Sequence, residues 1–291
     1  MTGQAGIAPK AKTAFVLPGG GSFGAIQVGM LKALIEHDIA PDLIVGASVG
    51  ALNSAYLAAQ CNRAGVDRLE TIWRGLRRQD VFPTGLSWLS QVFWQRDFSF
   101  QSSGLRNLID THLPYSQIED APIPLHIVAT DFVSGDSVVL SKGPVCQAIL
   151  ASAAIPGAFH PVLIDGRYLA DGALASKTPV MVAAELGATR IVLLPVGFAC
   201  AMTEPPKGSL AKAMHAVTLM MARHIAADVR HLGSSVEINV VPPLCPQAGS
   251  AYSFANTAEF IDRAYEGTSA WVEGGHHLSC ELPQAMFPHS H

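Results

Sequence analysis

Within its first 60 residues the chain twice repeats one sequence of events: a short apolar run, a glycine-rich break, and a segment with helical periodicity. Ala14-Phe15-Val16-Leu17 is stopped by Pro18 and three glycines, and from Gly24 the apolar positions Ile26, Met30, Ala33 and Leu34 recur at helical spacing. Asp42 to Val45 is the next strand, followed by Gly46-Ala47-Ser48-Val49-Gly50 and a helix over 49–60. Strand, turn, helix, strand, turn, helix is the front half of a parallel-sheet α/β fold, because parallel neighbours need a crossover. The rest of the chain continues the pattern. Strands are expected at 125–130, 137–140, 190–196 and 236–241, a hairpin at 164–172, and helices at 66–75, 145–152, 179–186, 207–232 and 258–272. The 207–232 helix carries a Met-rich stripe (Met214, Val217, Met221, Ile225, Val229) that reads as core.

Composition supports a large core and excludes several partners. Of 291 residues, 49% are apolar and 14% charged, so global disorder is ruled out. The net charge of −4, without a dense basic cluster, argues against nucleic acid. Five scattered cysteines contain no C-x-x-C pair and suit a reducing cytosol, and no H-E-x-x-H is present among the eleven histidines. Neither a metal nor a cofactor is expected. The uncharged stretches 43–62 and 143–164 are broken by glycines, polar residues or prolines and read as buried segments of a soluble fold. Lys10 and Lys12 before an apolar run imitate a signal peptide, but the glycines at 19–21 interrupt it. The protein is therefore expected to be cytoplasmic, at most peripheral to a membrane.

The sharpest chemical signal is the G-x-S-x-G of residues 46–50. Chance alone would produce it about 0.2 times in such a chain, so its position between strand and helix adds most of the weight. A serine on that turn is strained and needs hydrogens as its neighbours, which Gly46 and Gly50 supply. Its hydroxyl would stand at the sheet's carboxyl edge and at the positive end of a helix. Gly19-Gly20-Gly21-Ser22-Phe23-Gly24 also satisfies G-x-G-x-x-G, the dinucleotide fingerprint, but no acidic residue falls at the expected ribose position. The same glycines can aim backbone N–H groups at an oxyanion; the candidates are Gly19, Gly20, Gly21 and Ser22, with Val49. A base is also needed. His215, His224, His231 and His276 could serve in a Ser–His arrangement, whereas Asp171, in Asp171-Gly172-Ala173 after an apolar run, could act on Ser48 directly.

These elements resemble, in order, the patatin-like phospholipase family: a glycine-rich loop, a G-x-S-x-G elbow about 25 residues on, an A-S-x-A-x-P-x-x-F-x-P segment at 151–161, and a D-G-[GA] at 171–173. The resemblance covers residues 13–200 well, and the bacterial lysophospholipase-like members are nearest in size. It implies a three-layer α/β/α sandwich around a mostly parallel sheet. It also implies a Ser48–Asp171 dyad and a lipid or other acyl-ester substrate, with transient membrane-surface contact. The expected organisation is a flexible leader at 1–12, one hydrolase domain at 13–274 and a mobile tail at 275–291. One departure is Phe23, where many members carry Arg or Lys. Phe23, Trp88, Trp94 and His160 are candidate pocket residues, the tryptophans lying in an aromatic segment at 82–100 without period. The competing readings are a lipid-binding protein without turnover and a nucleotide-binding protein using the glycine loop.

Overall fold

Thr13–Leu17 (β1) and Leu43–Ala47 (β2) run parallel, with Ala14 opposite Leu43 and Leu17 opposite Gly46. Residues 14–17 and 43–47 are buried without exception, as central strands covered on both faces must be. The computed structural model describes residues 11–82, 103–156, 158–278 and 283–287. Arg190–Leu193 (β7) pairs in parallel with the other edge of β1, and Glu237–Val240 (β8) with β7. Leu125–Asp131 (β3) pairs in parallel with β2. The remaining strands are antiparallel: Ser137–Leu140 (β4) and Arg167–Ala170 (β6) on β3, and Val162–Ile164 (β5) on β6.

Side-chain alternation along these strands builds two separate cores. Phe15, Leu17 and Ile44 point into one, covered by Gly24–Glu36 (α1), Val49–Ala59 (α2) and Thr257–Glu273 (α9). Ala14, Val16, Leu43, Val45 and Ala47 point into the other, covered by Pro179–Glu185 (α7) and Ser209–Leu232 (α8). The result is the expected three-layer α/β/α sandwich. In α8, Met221, Ile225 and Val229 lie on the sheet, so the Met-rich stripe is core.

Four further helices line the first face: Arg63–Gly75 (α3), Arg78–Val81 (α4), Ser103–His112 (α5) and Val145–Ser152 (α6). The start of α3 is set by Asn62, whose side chain accepts the Gly65 N–H at 3.0 Å. Strand β2 runs two residues beyond Val45, because Gly46 and Ala47 still pair with Ile127 and Val128. Beyond Gly274, single 3-10 turns form at His276–Leu278 and Gln284–Met286, and Met286 is buried.

Candidate active site

Sheet register brings the two sharpest sequence candidates together. Ala47, the last residue of β2, pairs with Val128, and β6 descends antiparallel on β3 with Ala170 opposite Thr130. Strand β4 occupies the other edge of β3 over Ile127 to Thr130, so β2 and β6 share one edge. Their ends meet at the level of Ala129, where β2 delivers Ser48 from below and β6 delivers Asp171 from above. Ser48 Oγ donates to Asp171 Oδ2 at 2.7 Å across 123 residues of sequence.

Both groups are buried. Ser48 has φ 54° and ψ −127°, a conformation that costs a non-glycine residue about 1–3 kcal/mol. Its surroundings hold it there. A Cβ on Gly50 would overlap the Leu17 carbonyl, and one on Gly46 would overlap the Ser54 hydroxyl. The Ser48 N–H donates to Ser152 Oγ at 2.8 Å, and Ser152 Oγ donates in turn to the Val128 carbonyl at 2.6 Å. Ser152 is thus a positioning residue that motif reading missed, although the A-S-x-A-x-P segment contains it.

Asp171 caps a 3-10 turn, its Oδ1 accepting the Ala173 N–H at 2.8 Å, while Thr130 Oγ1 donates to its carbonyl at 2.7 Å. Burial pushes the Asp171 carboxyl up to about 6, against the lowering effect of the bonds from Ser48 and Ala173. That brings a weak carboxylate base nearer to neutral pH.

The glycine loop stands directly over the elbow: a Cβ on Gly19 would lie 2.6 Å from Ser48 Cβ. Its ends are tied down by buried amides. Gln27 Nε2 donates to the Pro18 carbonyl at 2.8 Å, and Asn53 Nδ2 to the Gly24 carbonyl at 3.0 Å. Trp73 Nε1 donates to Asn53 Oδ1 at 2.8 Å and completes the network. Gly21 adopts φ 58°. The Ser22 N–H donates to the Ala251 carbonyl at 2.8 Å and is therefore engaged. Among the described residues, the N–H groups of Gly20, Gly21 and Val49 have no protein acceptor.

Gly21 and Ser48 open on a pocket of about 50 Å³ walled by Leu52, Trp73, Phe82, Leu105, Ile149 and Phe159. The space holds only a few heavy atoms. Phe82, where the aromatic segment begins, stacks on Phe159 at 5.8 Å; Trp88 and Trp94 lie outside the described residues. Phe23 is not in the wall: it is buried edge-on against Phe260, with ring centroids 5.8 Å apart. His160 is exposed, one residue past Phe159, and no described histidine lines the pocket. Among the described residues, no cluster of three or more His, Cys, Asp or Glu side chains could hold a metal ion, and no helix is long and apolar enough to cross a membrane.

A serine at positive φ on a strand-to-helix turn, bonded to a buried carboxylate and faced by a glycine loop, defines the class: an α/β protein organised around a strand–serine–helix elbow. Residues 15–184, more than half of the chain, match the family described as Patatin-like phospholipase, and the chain belongs to that family. It is 28% identical over 186 residues to patatin-like phospholipase domain-containing protein 7 of Mus musculus, covering 63% of this chain and 13% of that protein. It is 30% identical over 186 residues to neuropathy target esterase sws of Drosophila melanogaster, covering 62% and 13%. An uncharacterized NTE family protein of Mycobacterium tuberculosis is 32% identical over 177 residues, covering 58% and 44%. The chain thus spans less than half the length of each of these relatives. Among solved structures, VipD from Legionella pneumophila superimposes with a TM-score of 0.45 at 14% identity, covering 92% of this chain and 67% of that one.

Proposed function

We propose that the protein is a serine acyl hydrolase acting on carboxylic esters of lipids, with Ser48 as nucleophile and Asp171 as base. The observation that carries this reading is the 2.7 Å bond from the strained Ser48 hydroxyl to the buried Asp171 carboxylate. Ser48 Oγ attacks the ester carbonyl while its proton passes to Asp171. The oxyanion is held by the free N–H groups of Gly20 and Gly21, with Val49 as a further donor. When the tetrahedral adduct collapses, the carbon–oxygen bond to the alcohol breaks and the alcohol takes the proton from Asp171. Water, deprotonated by the same carboxylate, then hydrolyses the acyl-serine and restores both residues.

A lipid ester is supported by the names of the relatives, a phospholipase-domain protein and an esterase, and by the apolar pocket wall; a lysophospholipase-type substrate is the finer form of this proposal. Peripheral contact with a lipid surface is supported by Phe132, Val133, Leu163 and Tyr168, apolar side chains exposed on and around the β5–β6 hairpin. Residues 13–274 form one domain in this reading, since a single sheet and its covering helices account for the described residues in that range.

Ser48→Ala should abolish turnover of nitrophenyl esters and labelling by a fluorophosphonate probe. The fold should keep its stability to within about 1 kcal/mol, since one small hydroxyl is removed. Turnover at the parent rate would refute the assignment.

A further inference from the structure

A second, wider cleft of about 690 Å³ adjoins the apolar pocket, and Leu76 and Phe254 line both. The partition between them is aromatic. Phe82, a wall of the pocket, lies 4.5 Å from the ring of Tyr252, which lines the cleft. The cleft wall is also bonded to the glycine loop, since Ser22 donates through its N–H to the Ala251 carbonyl and through Oγ to the Ser250 carbonyl. One loop therefore separates the cleft from the candidate oxyanion donors.

The cleft is basic. Among the described residues, Arg77, Arg78 and Lys207 line it against one acidic side chain, Glu204. None of the three cations forms an ion pair with a described carboxylate, in contrast to Arg74 one turn earlier, which pairs with both Glu70 and Asp262. The carboxylate closest in sequence, Asp80, accepts the Arg77 backbone N–H at 2.7 Å. Arg78 is held by Tyr252: its guanidinium lies 4.3 Å from the ring centroid and donates to the hydroxyl at 2.6 Å. Two guanidinium forks and an ammonium in a concave site favour a multivalent oxyanion, and guanidinium forks match the geometry of phosphate.

We propose that Arg77, Arg78 and Lys207 form an anion subsite that selects esters whose alcohol part carries a phosphate over uncharged esters. This rests on the serine-hydrolase reading, with the acyl end in the apolar pocket and the alcohol end across the Tyr252 partition.

The test uses two soluble esters with the same short acyl chain, 1-propanoyl-glycerol 3-phosphate and 1-propanoyl-glycerol, chosen to fit the small pocket. The parent protein should prefer the phosphate ester in kcat/KM, and Arg77→Gln/Arg78→Gln should lower that preference at least tenfold, with Lys207→Gln adding to the loss. Both arginines are exposed, so circular dichroism should show an unchanged fold. A preference that survives the double substitution overturns the proposal. In parallel, calorimetry on Ser48→Ala should show binding of the phosphate ester that the arginine substitutions abolish, with inorganic phosphate binding at least tenfold more weakly. Equal binding of inorganic phosphate and the ester would reassign the cleft to free phosphate and overturn the substrate role. Failure of the serine reading registers separately, as hydrolysis of both esters by the Ser48→Ala protein.

Discussion

The two strand-to-helix turns, 18–24 after β1 and 46–50 at the end of β2, lie side by side at the carboxyl edge of adjacent strands and use glycine for different ends. At the elbow, glycines remove bulk so that one side chain can be held rigidly. Gly50 is pressed against the Leu17 carbonyl, the Ser48 N–H is fixed by Ser152, and the Ser48 hydroxyl is aligned by Asp171. In the loop, glycines remove side chains so that, in the proposed mechanism, the backbone itself becomes the reagent: among the described residues the Gly20 and Gly21 N–H groups have no acceptor, while Gln27 and Asn53 secure the ends. Where chemistry needs a side chain, the fold immobilises its backbone through neighbours. Where it needs backbone donors, the fold anchors the flanks and leaves the middle bare.

Substituting one glycine in each turn should separate the two roles most sharply. Gly50→Ala drives a methyl into a backbone carbonyl of a central strand, and should lower unfolding stability by about 3 kcal/mol or more in a denaturant titration. Gly21→Ala also needs room, at Ala251 and Met214, but these lie in a loop and at a flexible side-chain end. It should lose less stability than Gly50→Ala and lower kcat about a hundredfold, the typical value of one oxyanion donor. If Gly21→Ala retains the parent kcat, the loop is only structural.

Asp171→Asn tests whether the elbow's rigidity serves proton transfer. Pre-steady-state acylation by an activated ester should fall at least about a hundredfold. In the parent, kcat/KM for an uncharged ester should rise with pH, tenfold per unit, up to about 6 and then level off, because only the ionised carboxylate accepts the Ser48 proton. Stability should move the other way. Between the ordinary 3.8 and about 6, native Asp171 keeps a proton that the unfolded chain has released, so raising the pH through this window destabilises the parent. Asp171→Asn escapes that loss. Relative to its difference from the parent at pH 4, it should gain at most about 3 kcal/mol at pH 8. A pH-independent stability difference would remove the burial argument.

The smallest effect is expected at Ser152. Ser152→Ala strips the Ser48 N–H of its buried acceptor and should cost about 1–3 kcal/mol of stability. Acylation should slow while fluorophosphonate labelling still goes to completion, and Ser152→Thr should restore part of the rate. Unchanged acylation would mean that Gly46 and Gly50 alone set the elbow.

Local physics made the architecture and its two turns readable in the linear chain. Buried parallel strands read as short apolar runs, helices repeat every 3.6 residues, and a strained serine announces itself by flanking glycines because no other residue fits. Strand β2 runs two residues past its apolar run, since Gly46 and Ala47 are a poor strand signal and pair because β1 and β3 lie beside them. Asp171 is recognisable as a candidate from its Asp-Gly turn after an apolar run, a local signature that His215, His224, His231 and His276 lack.

Which of these groups lies beside Ser48 depends on long-range register. Strand β6 takes over the edge of β3 where β2 stops, and this places residues 48 and 171 in hydrogen-bond contact, an adjacency no local pattern encodes. The same holds for Ser152 beneath the elbow, for the Ser22 amide claimed by Ala251, and for the basic cleft assembled from residues near 77, 207 and 252. Sequence alone determined which short segments could be strand, strained turn or helix, because steric limits and periodicity act over a few residues. Only the tertiary structure determined which donors meet which acceptors, because strand pairing and packing join residues that the chain keeps far apart.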